Sequence, residues 1–462
     1  MPIRKLLIAN RGEIAVRIIR AARELDIATV AVFSEADRDS LAVRMADEAA
    51  AIGPAQAAKS YLNADAILAA ARSSGADAIH PGYGFLSENA AFASAVEAAG
   101  LTFVGPSPEA IRIMGNKSLA RETAAKAGVP CVPGSDGVVT GIDAAVASAA
   151  KIGYPVMIKA SAGGGGRGIR IANDADELTR QIAVAQTEAT AAFGDGSVYL
   201  ERFIRSARHI EVQVLGDGND AVHCFERECS LQRRRQKILE EAPSPALSPA
   251  TRARLCESAV QLTKSVRYRG AGTLEYLYDD GSGEFFFIEM NTRIQVEHPI
   301  TEMITGVDLV REMIRICGGE ALRLRQSDIV MRGAAIECRI NAEDPERNFM
   351  PSPGRITELT LPGGPGVRID SMLYGGYTVP PYYDSLLAKL IVHAEDRDAA
   401  IARMKRALGE LRLEGVKSTR ALHLALLDDP SFRAAKFDTN FLEPWLAART
   451  PTKPSAVPTT SA

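Results

Sequence analysis

The sequence predicts a multidomain protein of class α/β and α+β, and three stretches carry that expectation. Residues 5–33 read strand–helix–strand, the unit of a nucleotide-type α/β fold. Residues 154–171 read as two short strands around a run of glycines, as in a small α+β unit. Residues 272–298 read as a hairpin whose second arm alternates polar with mostly apolar residues. At 462 residues the chain has room for roughly two to four domains.

In the first unit, Lys5–Ala9 suits a buried strand and Asn10-Arg-Gly-Glu13 turns the chain. Ile14–Leu25 spaces its apolar residues as a helix does, and Thr29–Phe33 returns as a strand. No G-x-G-x-x-G is present, which argues against a dinucleotide. Further strand–helix units follow, with Ala78–His80 and Thr102–Val104 as strand cores. Parallel sheets place sites in loops at the carboxyl ends of their strands, which singles out Pro81–Asn89. Ser87 in that loop equally suits a plain helix N-cap.

The pattern changes near residue 115, where Met114-Gly-Asn-Lys117 opens a helix. Tyr154–Lys159 and Ile169–Ile171 are strands flanking Gly163–Gly168, which resembles a flap over phosphates. Each glycine loses more conformational freedom on ordering than any other residue, so a plain turn would not need five of them. Backbone N–H groups closing on triphosphate oxygens would justify the rest, with Lys159 beside them. No G-x-x-x-x-G-K-[ST] occurs, which excludes P-loop chemistry on spacing. Val198–Ile204 reads as a strand running into a linker, a usual place for adenine to meet backbone groups. His209 opens another strand and by itself suits a structural role. Residues 226–237 gather four cations within 233–237, and composition leaves a solvated face and a functional one equally open.

Asp279-Asp-Gly-Ser-Gly283 is a turn cluster, so 272–278 and 284–298 form the hairpin. Its midpoint between Glu275 and Glu289 is Ser282. Without a bulge these carboxylates face each other with Cβ atoms roughly 4.5–5.5 Å apart. Like charges so placed destabilise a hairpin unless a cation binds between them, and Asn291 adds a third hard oxygen ligand. Arg293, Gln295 and Glu297 continue the same face of an extended strand. A solvated amphipathic strand is the plainer alternative, although a surface would more often carry Lys, Thr or Ser. Beyond residue 320, Ala334–Ile340 and a helix from Arg397 to Leu411 mark a third, mixed α/β unit. The Pro/Thr/Ser-rich tail is expected to be disordered. A net charge of −3 gives no support to nucleic-acid binding. No apolar run approaches ~20 residues, so no membrane span is expected. The six cysteines are scattered and lack zinc-ligand spacing, which fits reduced thiols and a cytoplasmic location.

Taken together, IANRGEIA (8–15), HPGYGFLSEN (80–89), GGGGRG (163–168), ERECSLQRRRQK (226–237), FIEMNTRIQVEHPITEMITGVDL (287–309), ECRINAEDP (337–345) and YTVPPYYDSLLAKL (377–390) resemble biotin carboxylase, an ATP-grasp family. The resemblance runs to about residue 445. It implies a Rossmann-like N-terminal domain (1–115), an ATP-grasp domain (116–320) with a mobile lid (about 131–204), a C-terminal domain (321–446) and a tail (447–462). Carried over residue by residue, it implies that Lys117, Lys159, Glu201, Ile204 and His209 hold ATP, with Gly165 and Gly166 on its phosphates. Glu275, Glu289 and Asn291 would bind Mg²⁺ or Mn²⁺, at two sites, with both glutamates also facing ATP. Lys237, Arg293, Gln295 and the Val296 amide would hold bicarbonate. Glu297 would be the general base, and Arg339 would stabilise the biotin enolate. The chain has no Ala-Met-Lys-Met, so biotin is expected on a separate carrier protein, with carboxyltransferase subunits and a homodimer as further partners. Two positions depart from the family pattern: Ala162 stands for a flap glycine, and Arg235 stands where His or Asn is usual, beside ATP. Another ATP-grasp ligase and a non-catalytic nucleotide-binding subunit are the competing expectations.

Overall fold

The computed structural model describes residues 2–160 and 169–449. Ala162, the glycine run with Gly165 and Gly166, and the expected tail from residue 450 onward lie outside the described residues. The chain forms two compact units: Met1–Gly128, Arg208–Tyr276 and Glu289–Ala462 in one, Val129–Ala207 and Leu277–Ile288 in the other.

The first unit opens with a parallel sheet in the order β3-β2-β1-β4-β5, with β1 Lys5–Ile8, β2 Ala28–Phe33, β3 Glu48–Ala51, β4 Ala78–His80 and β5 Thr102–Phe103. β1 is central, and Leu6, Leu7 and Ile8 are fully buried, as a strand covered on both faces requires. The helix Gly12–Arg23 turns Ile14, Ile18 and Ala22 into that core. Asn89 caps the helix Ala90–Ala98, accepting from the Phe92 amide; Ser87 is buried instead and does not serve as the cap.

The second unit is a three-stranded antiparallel sheet in the order β7-β6-β8, with β6 Val156–Ala160, β7 Ile169–Ala172 and β8 Val198–Arg202. The helices Ile142–Ile152 and Ala175–Phe193 supply its apolar cover, including Ala145, Leu178 and Ile182.

The remaining long strands are β9 Ala207–Asp217, β10 Ala221–Arg233, β11 Gln236–Ala242, β12 Arg269–Asp279, β13 Glu284–Asn291 and β14 Ala334–Asn341. They join in the order β13-β12-β9-β10-β11-β14, followed by Leu386–Ala394 and Val367–Ser371. The hairpin of β12 and β13 is as expected, but β13 ends at Asn291. The expected alternation therefore does not run through to His298: residues 292–297 form a loop, and the helix His298–Thr305 begins with Pro299 in its first turn. Proline lacks the N–H that a helix start leaves unused, so it favours the break there. The strand Ala334–Asn341 and the helix Arg397–Glu410 appear where the sequence beyond residue 320 predicts them. The final helix, Leu442–Arg449, continues three residues into the span assigned to the tail (447–462). Buried Leu442 and Trp445 hold it, with the indole N–H donating to Asp429 at 2.8 Å.

Among the described residues, no helix is long and apolar enough to cross a membrane.

Candidate active site

His209, Glu211 and Gln213 project from one face of β9 by the two-residue period of a strand. Arg227 on β10 is fully buried and donates to Glu211 (2.6 Å), Gln213 (2.8 Å), Thr301 (2.9 Å), Thr273 (3.2 Å) and Gln295 (2.8 Å). Of the five cations in 226–237, Arg227 and Lys237 point inward. Arg234 and Arg235 do not: they form the exposed two-residue turn between β10 and β11, with φ of 48° and 66°. Arg235 is thus not among the residues gathered in the interior cluster.

Lys237, at the start of β11, is the hub of that cluster. Its ammonium donates to Glu297 at 2.5 Å, to Glu275 at 3.1 Å, and to Glu211. Burial alone would push these carboxyl groups up. The Lys237 charge, joined by Arg227 at Glu211, by His209 at Glu275 and by Arg339 at Glu297, holds all three below the ordinary carboxylate range. Burial pulls the Lys237 ammonium down, but its three carboxylates raise it well above its ordinary value. His209 lies 3.2 Å from Glu275; burial opposes its charge, yet the carboxylates of Glu275 and Glu211 lift it to about 9.

Glu297 stands at the N-terminus of the helix His298–Thr305, only 2% exposed. Its second oxygen accepts from Arg339 at 2.9 Å, and Arg339 also donates to Glu240 at 2.6 Å. Gln295 donates to Glu275 at 3.1 Å while accepting from Arg227. Arg293 donates to Glu88 at 2.8 Å and to the Asn291 side-chain carbonyl at 2.9 Å. Lys237, Gln295, Glu297, Arg339, Glu275, Asn291 and Arg293 thus form one connected polar network, although Arg293, Gln295 and Glu297 sit on a loop rather than a strand.

Glu289 differs from its neighbours. Burial and the Glu275 charge push its carboxyl up, only partly countered by Lys117, and among the described residues it forms no ion pair. A divalent cation would relieve that repulsion, and two carboxylates with the Asn291 amide oxygen are hard donors suited to Mg²⁺ or Mn²⁺. Asn291 donates its amide N–H to Glu275 (3.0 Å), which ties two of these three residues together. Two other groupings, His209-Glu211-Glu275 and Glu211-Cys229-Glu297, could geometrically hold an ion, but Lys237 and Arg227 already supply their positive charge.

The residues expected at the nucleotide divide between the units. Lys159 pairs with Glu201 within the second, where Ile204 packs with Ala207 and Phe286. Exposed Lys117 opens the helix Lys117–Lys126, capped by Asn116. Sequence reasoning passed over Glu88, Glu211, Arg227 and Glu240 as individual residues. Glu211 was signalled by its two-residue offset from His209. Glu88 and Arg227 lie inside quoted motifs but have no spacing of their own to mark them.

Three family models together match most of this chain. Biotin carboxylase, N-terminal domain covers 2–111, Carbamoyl-phosphate synthase L chain, ATP binding domain covers 116–325, and Biotin carboxylase C-terminal domain covers 337–444. Biotin carboxylase 1 of Bacillus subtilis is 56% identical over 442 residues, 96% of this chain and 98% of that protein. Biotin carboxylase of a Nostoc species is 56% identical over 440 residues, 95% and 98% of the two chains. Among solved structures, the biotin carboxylase domain dimer of Hydrogenobacter thermophilus 2-oxoglutarate carboxylase, in complex with MgADP, ADP and bicarbonate, superposes with a TM-score of 0.86 at 50% identity, covering 96% of this chain and 99% of that one.

Proposed function

This chain belongs to the biotin carboxylase family, a ligase carboxylating biotin with ATP, and we propose that its buried loop 292–297 and the cations around it carry the bicarbonate chemistry. The observation that carries this reading is the Glu297 carboxylate, ionised and 2% exposed, with one oxygen on Lys237 at 2.5 Å and the other on Arg339 at 2.9 Å. A base so flanked can receive an anionic substrate without leaving charge unmatched.

Lys237, Arg293, Gln295 and the Val296 amide hold bicarbonate, the guanidinium bidentately. Glu297 removes the bicarbonate proton, and the freed oxygen attacks the γ-phosphorus of ATP as the bond to ADP breaks. The carboxyphosphate so formed splits its carbon–oxygen bond to CO₂ and phosphate. That phosphate takes the proton from biotin N1, and the nitrogen adds to CO₂. Arg339 stabilises the oxyanion of the deprotonated ureido group. Lys159, Lys117, His209, Glu201 and Ile204 bind the nucleotide, with Gly165 and Gly166 over its phosphates. Glu275, Glu289 and Asn291 would hold a divalent cation, which would supply charge neutralisation for the phosphate oxygens.

The chemistry calls for biotin on a carrier protein and a carboxyltransferase partner, with a homodimer as in the Hydrogenobacter domain; a cytoplasmic setting fits the six free cysteines. Acetyl-CoA carboxylase, with malonyl-CoA feeding fatty acid synthesis, is the favoured assembly; the related curated chains are biotin carboxylases spanned to 98% of their length. A carboxylase for another acceptor is the second reading, favoured by the 50% identity to a 2-oxoglutarate carboxylase domain. ATP cleavage by the purified protein should require bicarbonate and accelerate with biotin, and proteins co-purifying with it should identify the acceptor. Cleavage driven by a different carboxylate would transfer the chain to another ATP-grasp ligase.

A further inference from the structure

Three motifs supply residues that the proposed chemistry leaves unused, and they meet behind the base. Lys389 is fully buried, and its ammonium donates to the Val296 carbonyl at 2.8 Å and lies 3.1 Å from Glu13. Tyr83 donates its hydroxyl to the same Glu13 oxygen. In the antiparallel register of β14 with Leu386–Ala394, Lys389 stands directly opposite Arg339. Side chains opposite each other share a face of a sheet, and like charges so placed are destabilising unless each has something to hold. Each does, and the two targets are consecutive: Lys389 takes the carbonyl of Val296, and Arg339 takes the carboxylate of Glu297.

Because the loop lacks a strand's ladder, these bonds decide its shape. A peptide is planar, so orienting one carbonyl aims the N–H of the next residue the opposite way. His298 Nδ1 sits 2.7 Å from the Gln295 carbonyl, which fixes the Val296 amide; Lys389 at the Val296 carbonyl then fixes where Glu297 starts. We propose that Lys389 is a positioning residue for the reaction: with Arg339 beside it, it clamps the Val296–Glu297 segment so that the bicarbonate-binding amide and the base keep their aim. Glu13, oriented by Tyr83, is the ion-pair partner of this buried ammonium.

This inference rests on the bicarbonate reading above. Its test is bicarbonate-dependent ATP cleavage by Lys389→Met and, since that change strands Glu13, by the double variant Lys389→Met with Glu13→Gln. The expected result is a tenfold or greater rise in the bicarbonate concentration for half-maximal rate, with ATP affinity within about twofold of wild type, in a double variant whose Tm recovers toward wild type. A double variant that regains both Tm and bicarbonate response would show a merely structural lysine and overturn the clamp. Wild type run alongside separates the two levels. Response in wild type but no change in the variants rejects the clamp alone; no response in wild type rejects the functional reading and the clamp with it.

Discussion

Glu211, Glu275 and Glu297 on one side, and Glu240 and Glu337 on the other, are buried carboxyl groups of one sheet and its loop, yet their surroundings shift them in opposite directions. Burial pushes all five up, but only the second pair stays up, Glu240 at about 7 and Glu337 well above the ordinary range. The difference lies in the supply of cations. The first three share Lys237, with Arg227, His209 and Arg339 added. Glu240 and Glu337 face each other in the register of β11 with β14, and Glu240 must share Arg339 with Glu297. Both Glu337 oxygens are buried and, among the described residues, lack a hydrogen-bond partner, which a neutral acid tolerates far better than a carboxylate does. Depth therefore does not decide which carboxyl can act as a base; the count of cations around it does.

The sharpest way to break this contrast is at Glu297. Glu297→Gln keeps the shape but removes the base, and carboxybiotin formation should fall about 10²–10⁴-fold while ATP still binds. Near-normal turnover would remove Glu297 from the mechanism. Next is Glu289, which is pushed up beside Glu275 and, among the described residues, forms no ion pair. Mg²⁺ with ATP should raise the Tm of wild type by several degrees, and Glu289→Gln should lose most of that gain; equal shifts would refute a shared cation. The smallest effect belongs to Glu337→Gln, with turnover within severalfold of wild type at neutral pH. A carboxyl raised in the folded state binds a proton there that the unfolded chain has released. Its contribution to stability is full below the ordinary value of 4.5 and is lost as pH rises through the folded value. Unfolding free energies of Glu337→Gln should therefore decline less steeply than wild type from about pH 5 upward. Parallel curves would mean that Glu337 is ionised like Glu297.

Much of this was legible in the sequence where periodicity and turn chemistry act locally. The opening strand–helix–strand, the flap strands and the β12–β13 hairpin all follow from apolar spacing and the Asp279–Gly283 turn. The loop 292–297 was not, because Arg293, Gln295 and Glu297 alternate in sequence as a strand would, while their direction is set by Glu88, Arg227 and Lys237 from distant segments. The split of the basic run into buried Arg227 and exposed Arg235 was equally invisible, since it depends on where the β10–β11 turn falls. The end of the last helix was misjudged because Trp445, the anchor, finds its partner Asp429 outside the local pattern.

Arg227 has a consequence for how such a chain can drift over generations. Its guanidinium spends all five N–H donors' worth of fork geometry on five acceptors from four segments of chain. Lysine would keep the charge but offers three donors from a single point, leaving buried acceptors dry at about 1–3 kcal/mol each. No single exchange substitutes for it. Glu297, by contrast, is one exchange away from an isosteric amide that packs equally well. A lineage released from selection on its reaction would thus lose the base early and retain Arg227 long afterwards, so that the silent arginine would outlast the chemistry it was assembled to frame.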